Sequence, residues 1–259
     1  MELKTIIYEK EGPIACITFN RPQVLNALNY EVLDELGQIV DEISQDDSIR
    51  CVIVSGGPKC FAAGADISML TELDSGEGEL FVEKAHLPMD KLANLNKPVI
   101  AAIAGLALGG GCEVAMACDI RIAAEGSKLG LPECNLGVFP GGGGTQRLTR
   151  LVGNGWAKDM ILTGDPIDAQ TALTIGLVTR VVPADKLMEE AGKLAAKLAA
   201  KAPITAGATK QCLNVAMSSD LATGLKFEKK SFAQIVFTDD FKEGTKAFLE
   251  KRKPEFKGR

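Results

Sequence analysis

The 259-residue sequence has one histidine, His86, and seven scattered cysteines with no CxxC pair. A cluster of histidine ligands for zinc is therefore excluded, a zinc ribbon is disfavoured, and any Ser-His-acid triad would depend on that single imidazole. No run of eighteen apolar residues occurs, which excludes a membrane-spanning helix. Charge of one sign is lacking as well. Lys and Arg number 29 against 34 Asp and Glu, a net −5, so neither nucleic acid nor an anionic membrane is a favoured partner. Aromatic and basic residues do not interleave as they do on nucleic-acid-binding faces. An odd number of unpaired thiols in a chain this size reads as reduced cysteine in the cytoplasm. The opening MELKTIIYEKEG has early acidic residues and no long apolar stretch, the pattern of a chain without a signal peptide. Phosphate fingerprints are missing too: three residues separate Gly105 from Gly109, and neither glycine run is followed by GK[ST].

What is present is a large core. Hydrophobic residues make up 46% of the chain, enough for a single α/β domain with an appendage. Ile14–Phe19, Cys51–Val54, Pro98–Ile103 and Asp119–Ala123 read as strands. Helices are predicted over Asn26–Ile43, Glu79–Leu95 and Cys112–Ala117, and the acidic stretch Leu73–Gly78 reads as a surface loop. That alternation implies crossover connections. After about residue 184 the strand signals stop. Asp185–Lys201, Ile204–Met217 and Leu221–Lys253 are helical in pattern, which places a boundary near residue 200 between a core (1–200) and a helical region (201–259).

Three small-residue segments carry the candidate chemistry. GGGCE ends on Glu113 and GLPE ends on Glu133. Glu113 falls in the first turn of an otherwise apolar helix, where a carboxylate is either a helix-dipole partner or a group held in a dry pocket. Two such glutamates suit acid/base work, which needs carboxylates with environments tuned apart. The third segment, Phe61-Ala-Ala-Gly-Ala-Asp-Ile67, precedes a helix cap at Asp66 and leaves backbone amides accessible. Ala65 and Gly110 could supply two donors to one developing oxyanion, with a helix starting behind Gly110 adding its positive end.

Several ordered blocks, NRPQVLNAL (20–28), AAGADI (62–67), NKPVIAAIAGLALGGGCEVAMACDIRIA (96–123), GLPECNLGVFPGGGGTQRL (130–148) and LTGDPIDAQTALTIGLVTRVV (162–182), resemble the crotonase family, most closely its enoyl-CoA hydratases. The resemblance runs from about residue 3 to the end. It implies a crotonase-like spiral of ββα repeats with a C-terminal helical trimerisation region, and addition of water to a trans-2-enoyl-CoA thioester, short-chain substrates included. It assigns the oxyanion-hole amides to Ala65 and Gly110, and the water-holding acids to Glu113 (base toward C3) and Glu133 (acid toward C2). A backbone contact from Gly141 to the same water is also implied. The coenzyme A path would be bordered by Ala27, Leu28, Lys59, Ala63, Ala65, Asp66, Ile67 and Gly110, with Phe248 and Lys251 reaching the nucleotide end from a neighbouring subunit. Met69–Leu95 would line the acyl tail. No cofactor or metal is implied, coenzyme A being part of the substrate, and the family's usual assembly is a homohexamer built as a dimer of trimers.

Other residues take plainer readings. His86, in the charged segment EKAHLP, reads as a surface or helix-packing residue; Asp119 and Arg121 as fold-stabilising; Cys112 and Cys134 as small hydrophobes; Trp156 as an anchor for a helix after Gly155. Rival activities are double-bond isomerisation or thioester hydrolysis, whose enzymes usually alter one or both glutamates. A non-catalytic RNA-binding relative is a rival of another class.

Overall fold

The computed structural model describes residues 3–71, 76 and 78–259. In chain order its elements are β1 (Ile6–Glu11), β2 (Ile14–Phe19), α1 (Tyr30–Gln45), β3 (Cys51–Ser55), α2 (Ile67–Thr71), α3 (Gly78–Asn94) and β4 (Val99–Ile103). There follow β5 (Leu106–Leu108), α4 (Gly110–Ala117), β6 (Ile120–Ala124), β7 (Lys128–Gly130), α5 (Gly144–Thr163), β8 (Ile167–Asp168), α6 (Ala169–Thr174) and β9 (Arg180–Val182). Four helices close the chain: α7 (Leu187–Ala199), α8 (Pro203–Ala216), α9 (Leu221–Ile235) and α10 (Asp239–Leu249).

A six-stranded sheet runs β1-β2-β3-β4-β6-β9, parallel except for the β1–β2 hairpin. Both of its faces are covered. Alternate residues of β3 and β4 divide between two cores: Val52, Val54, Val99, Ala101 and Ile103 face one, and Cys51, Ile53, Ile100 and Ala102 face the other, beneath α7. Such continuous apolar strands are what a sheet buried on both sides requires. A second, three-stranded sheet has the order β5-β7-β8. The chain visits both sheets in turn, β4 then β5 then α4, and β6 then β7, which is the ββα repeat of the predicted α/β spiral.

The structure moves some boundaries. The first long helix begins at Tyr30 rather than Asn26, because Leu25 and Asn26 adopt left-handed backbone (φ 53° and 57°). Asn29 caps it instead, accepting from the Val32 N–H at 3.0 Å. The loop expected over Leu73–Gly78 falls mostly outside the described residues. The helix containing Trp156 breaks at Gly153 (φ 79°) rather than at Gly155, so Trp156, 42% exposed, lies in the first turn of the helical segment that follows the break. The pattern over Leu221–Lys253 divides in two, with Thr238 capping α10.

The last strand ends at Val182. A buried ion pair joins α8 to the spiral: Lys210 Nζ lies 2.9 Å from Asp119 Oδ2 and donates to the Leu92 carbonyl. Asp119 also accepts from the Val99 N–H, and buried Arg121 donates to the carbonyls of Leu177 and Cys118. Both residues serve the fold, as their plainer readings had it.

Candidate active site

The small sheet brings the sequence-distant turns together. β5 and β7 are parallel with Leu108 opposite Gly130, and the Gly109 N–H donates to the Gly130 carbonyl at 2.9 Å. The chains leaving these strands, Gly109-Gly110 toward Glu113 and Leu131-Pro132 toward Glu133, therefore emerge side by side. Ala62 pairs with Ala107 on the other flank of β5, which sets the 62–67 turn alongside. Gly111 has to be glycine here, since a Cβ would collide with the Ala62 backbone.

A bridge between Leu28 and Ala65 continues the ladder. Leu28 uses its N–H on the Gly64 carbonyl and its carbonyl on the Asp66 N–H, so the Ala65 N–H points out of the ladder. Gly110 opens α4, where first-turn amides have no partner within their own helix. A Cβ on Gly110 would lie 3.6 Å from Ala65 N and 3.2 Å from the Leu28 side chain. The two loops meet, and neither the Ala65 nor the Gly110 N–H has a hydrogen-bond partner among the described residues.

Glu113 is 4% exposed. Its Oε1 accepts from the N–H groups of Gly142 (2.7 Å) and Gly144 (2.8 Å), just before and at the start of α5. It is thus both a dipole partner, to a helix other than its own, and a group in a dry pocket. Burial pushes its carboxyl upward, while those two amides, the His86 side chain and the Arg147 guanidinium pull it back. The glycines are sterically required: a Cβ on Gly142 would fall 2.6 Å from Glu113 Oε2, and one on Gly144 2.8 Å from Oε1.

Glu133 lies on a short 3-10 turn, Pro132–Leu136, and has no such cradle. Its Oε2 is sealed from solvent with no hydrogen-bond partner. Burial pushes its carboxyl up to about 7, with the charge of Glu113 adding to the rise. Both acids are raised by burial, and they differ as acid/base chemistry needs: two amide donors oppose the rise on Glu113, while Glu133 is carried up to about 7.

Of the remaining candidates, Ala27, Leu28, Ala63, Asp66 and Ile67 lie on the two loops around Ala65. The Asp66 carboxylate accepts from the Ser68 hydroxyl and from Arg21 (3.1 Å), which hold its pKa below the usual carboxylate range. Lys59 is exposed on the approach to the 62–67 turn. The Gly141 N–H has no partner among the described residues. Phe248, 83% exposed, and Lys251 stand at the end of α10 and make no hydrogen bond to these loops within their own chain.

Sequence reasoning missed the residues that hold the loops. Arg21 reaches both Ala27 and Asp66, and Asn26 donates to the carbonyls of Gly56, Cys60 and Phe61. Both lie in the NRPQVLNAL block, whose polar residues inside an apolar stretch were the available signal. His86 takes the packing rather than the surface alternative: it is half-buried, with Nε2 2.7 Å from the Gly141 carbonyl oxygen. Cys112 packs as expected, fully buried, its thiol pushed up to about 12 by burial. Among the described residues no group of three or more His, Cys, Asp or Glu could hold a metal ion.

Residues 9–259 match the family described as Enoyl-CoA hydratase/isomerase. The chain is 48% identical to a Clostridium acetobutylicum protein named short-chain-enoyl-CoA hydratase, with all of both chains covered. It is 42% identical to a Syntrophomonas wolfei protein named crotonyl-CoA hydratase, over 99% of each. The solved structure of an enoyl-CoA hydratase from Bacillus anthracis is similar at a TM-score of 0.95 and 41% identity, covering 99% of this chain and 100% of that one.

Proposed function

The chain belongs to the enoyl-CoA hydratase/isomerase family, and on that premise we propose that it reversibly adds water, with syn geometry, to short trans-2-enoyl-CoA thioesters such as crotonyl-CoA. The product is the 3-hydroxyacyl-CoA. The thioester carbonyl oxygen sits between the N–H groups of Ala65 and Gly110. As a water oxygen bonds to C3, Glu113 takes one of its protons and the alkene electrons move onto the carbonyl oxygen, giving an enolate held by the two amides. Collapse of the enolate takes a proton from Glu133 onto C2. The pair ends with its single proton on Glu113 instead of Glu133, and dehydration runs the same path backwards. The Gly141 N–H steadies the water.

One observation carries this reading: two neighbouring buried carboxyls that differ in their donors, Glu113 gripped by two amides and Glu133 raised to about 7, beside two open amides. Preorganised donors of this kind stabilise a developing oxyanion without a metal, and losing one costs about 10²–10³ in rate. No cofactor takes part, since the thioester itself is the electron sink. The presence of both glutamates argues against isomerisation or thioester hydrolysis. Met89, buried beside Gly142, supports α3 as a wall of the acyl site.

Coenzyme A lies along Ala27, Leu28, Lys59 and the 63–67 turn. Phe248 and Lys251 reach its nucleotide end from a neighbouring copy in a homohexamer, with residues 201–259 as the trimer-forming region. The exposed apolar residues there, Leu213, Leu221, Phe232, Phe237 and Leu249, support that assembly; light scattering that gives a monomer would overturn it. Seven free thiols suit an enzyme of the reducing cytoplasm.

The test is loss of the conjugated enoyl-thioester absorbance with crotonyl-CoA. Wild type turns over, whereas Glu113→Gln and Glu133→Gln each lose at least about 10² in kcat with acyl-CoA binding retained. Normal turnover in either variant refutes its role.

A further inference from the structure

The Gly141-Gly144 turn has two faces. Toward the site it presents the N–H groups of Gly142 and Gly144, both spent on Glu113 Oε1. Away from it two carbonyls point outward, and each is held by a side chain. Arg147 Nη1 donates to the Gly142 carbonyl at 2.9 Å while its Nη2 pairs with Asp90. His86 Nε2 lies 2.7 Å from the Gly141 carbonyl. A carbonyl oxygen only accepts, so Nε2 bears a hydrogen and is the donor.

The Gly141 carbonyl and the Gly142 N–H belong to one peptide unit. That unit is planar and trans, so its oxygen and hydrogen point in opposite directions. Holding the oxygen on one side therefore aims the hydrogen on the other. We infer that His86 is a positioning residue for the general base: it sets the plane of the Gly141–Gly142 peptide, and through that peptide the place and ionisation of the Glu113 carboxylate. A chain of hydrogen bonds, His86 Nε2–H to peptide oxygen and peptide N–H to carboxylate, also polarises itself, each bond strengthening the next. The electrostatics agree in sign, since the His86 side chain counts among the influences that favour ionised Glu113. Glycine makes the arrangement necessary, because residues 141–144 have no side chains to pack and nothing of their own to stop the peptide from rotating.

This inference rests on the hydratase reading and is tested on the full-length chain with crotonyl-CoA. His86→Leu, of similar bulk without a donor, lowers kcat roughly 5- to 10-fold, the worth of one hydrogen bond, with KM within about twofold. His86→Gln, whose amide nitrogen falls near the place of Nε2, restores kcat to within about threefold. In a Glu113→Gln background, His86→Leu produces no further loss, because the residue acts through Glu113. If His86→Leu does not fold, His86→Asn, a donor too short to reach the carbonyl, replaces it with the same expected loss. Wild-type kcat in the donor-less variant overturns the inference. So does a folded His86→Gln as slow as His86→Leu, or an equal loss in the Glu113→Gln background. A wild type that does not hydrate crotonyl-CoA overturns the hydratase reading, and this inference with it.

Discussion

Glu133 is held in a state that costs stability, and the cost has a predictable dependence on pH. Its carboxyl is raised from the ordinary 4.5 to about 7, chiefly by burial. Below pH 4.5 the folded and unfolded chains both keep this proton. Between 4.5 and 7 the unfolded chain releases it and the folded chain does not, so folding weakens as pH rises; above about 7 the penalty is complete. At about 1.36 kcal/mol per pH unit, that interval caps the penalty at about 3 kcal/mol. Glu133 is only partly buried, and solvent screening reduces the expected figure to about 1–2 kcal/mol. Glu133→Gln removes the titration at nearly constant shape. Any pH-independent effect of the new amide cancels when the variant and the wild type are compared at two pH values. The melting temperature of Glu133→Gln relative to wild type should therefore be about 3–6 °C higher at pH 8 than at pH 5, while hydration is lost at both. A Tm difference that is the same at pH 5 and pH 8 would refute the claim that the site forces Glu133 to stay protonated, and with it the assignment of this residue as the proton donor.

The pair of acids also sets the rate profile. Hydration needs Glu113 ionised and Glu133 protonated, and dehydration needs the reverse, but both are the singly protonated pair. kcat/KM in the two directions should therefore share one profile and fall about tenfold per pH unit above about 7, as rising pH strips the last proton; a flat profile from pH 6 to 9 in either direction contradicts this. The glycines of the 141–144 turn should differ sharply under substitution. In Gly142→Ala the added carbon meets Glu113 Oε2 at 2.6 Å and Met89 Cε at 3.1 Å, whereas in Gly141→Ala its nearest neighbour is the Phe139 carbonyl at 3.8 Å. Gly142→Ala should lose about 1–3 kcal/mol of stability and at least about tenfold in kcat, and Gly141→Ala, which keeps its N–H, should stay within about threefold; equal effects in denaturant melts and turnover would show that the close approach is not what demands glycine.

The residue types of the site were legible in the chain; their meeting was not. AAGAD, GGGCE and GLPE read as small-residue turns leading to functional groups, but β5, β7 and β8 are only two or three residues long and leave no periodic trace. What joins the turns is the parallel register of Leu108 with Gly130 and the bridge from Ala62 to Ala107, pairings between strangers in sequence. Asn26 looks like a helix starter beside an apolar pattern, yet its carboxamide is spent on three carbonyls of the 56–61 loop, and that use forces the left-handed turn that delays the helix. His86 has charged neighbours along the chain, and its one informative contact crosses 55 residues.

The two glutamates make the same point with chemical consequence. In the sequence they are near-equivalents, each a carboxylate just after a tight turn, and nothing local says which should hold a proton. The difference arises from a third segment. The start of α5 turns the amides of Gly142 and Gly144 onto Glu113, whereas only Glu133's own backbone amide opposes burial there and the charge of Glu113 adds to the rise, so burial prevails further on one than on the other. Acid and base are therefore assigned by which carboxyl the glycine turn can reach, and the side chains that aim that turn belong to the catalytic apparatus as much as the acids do.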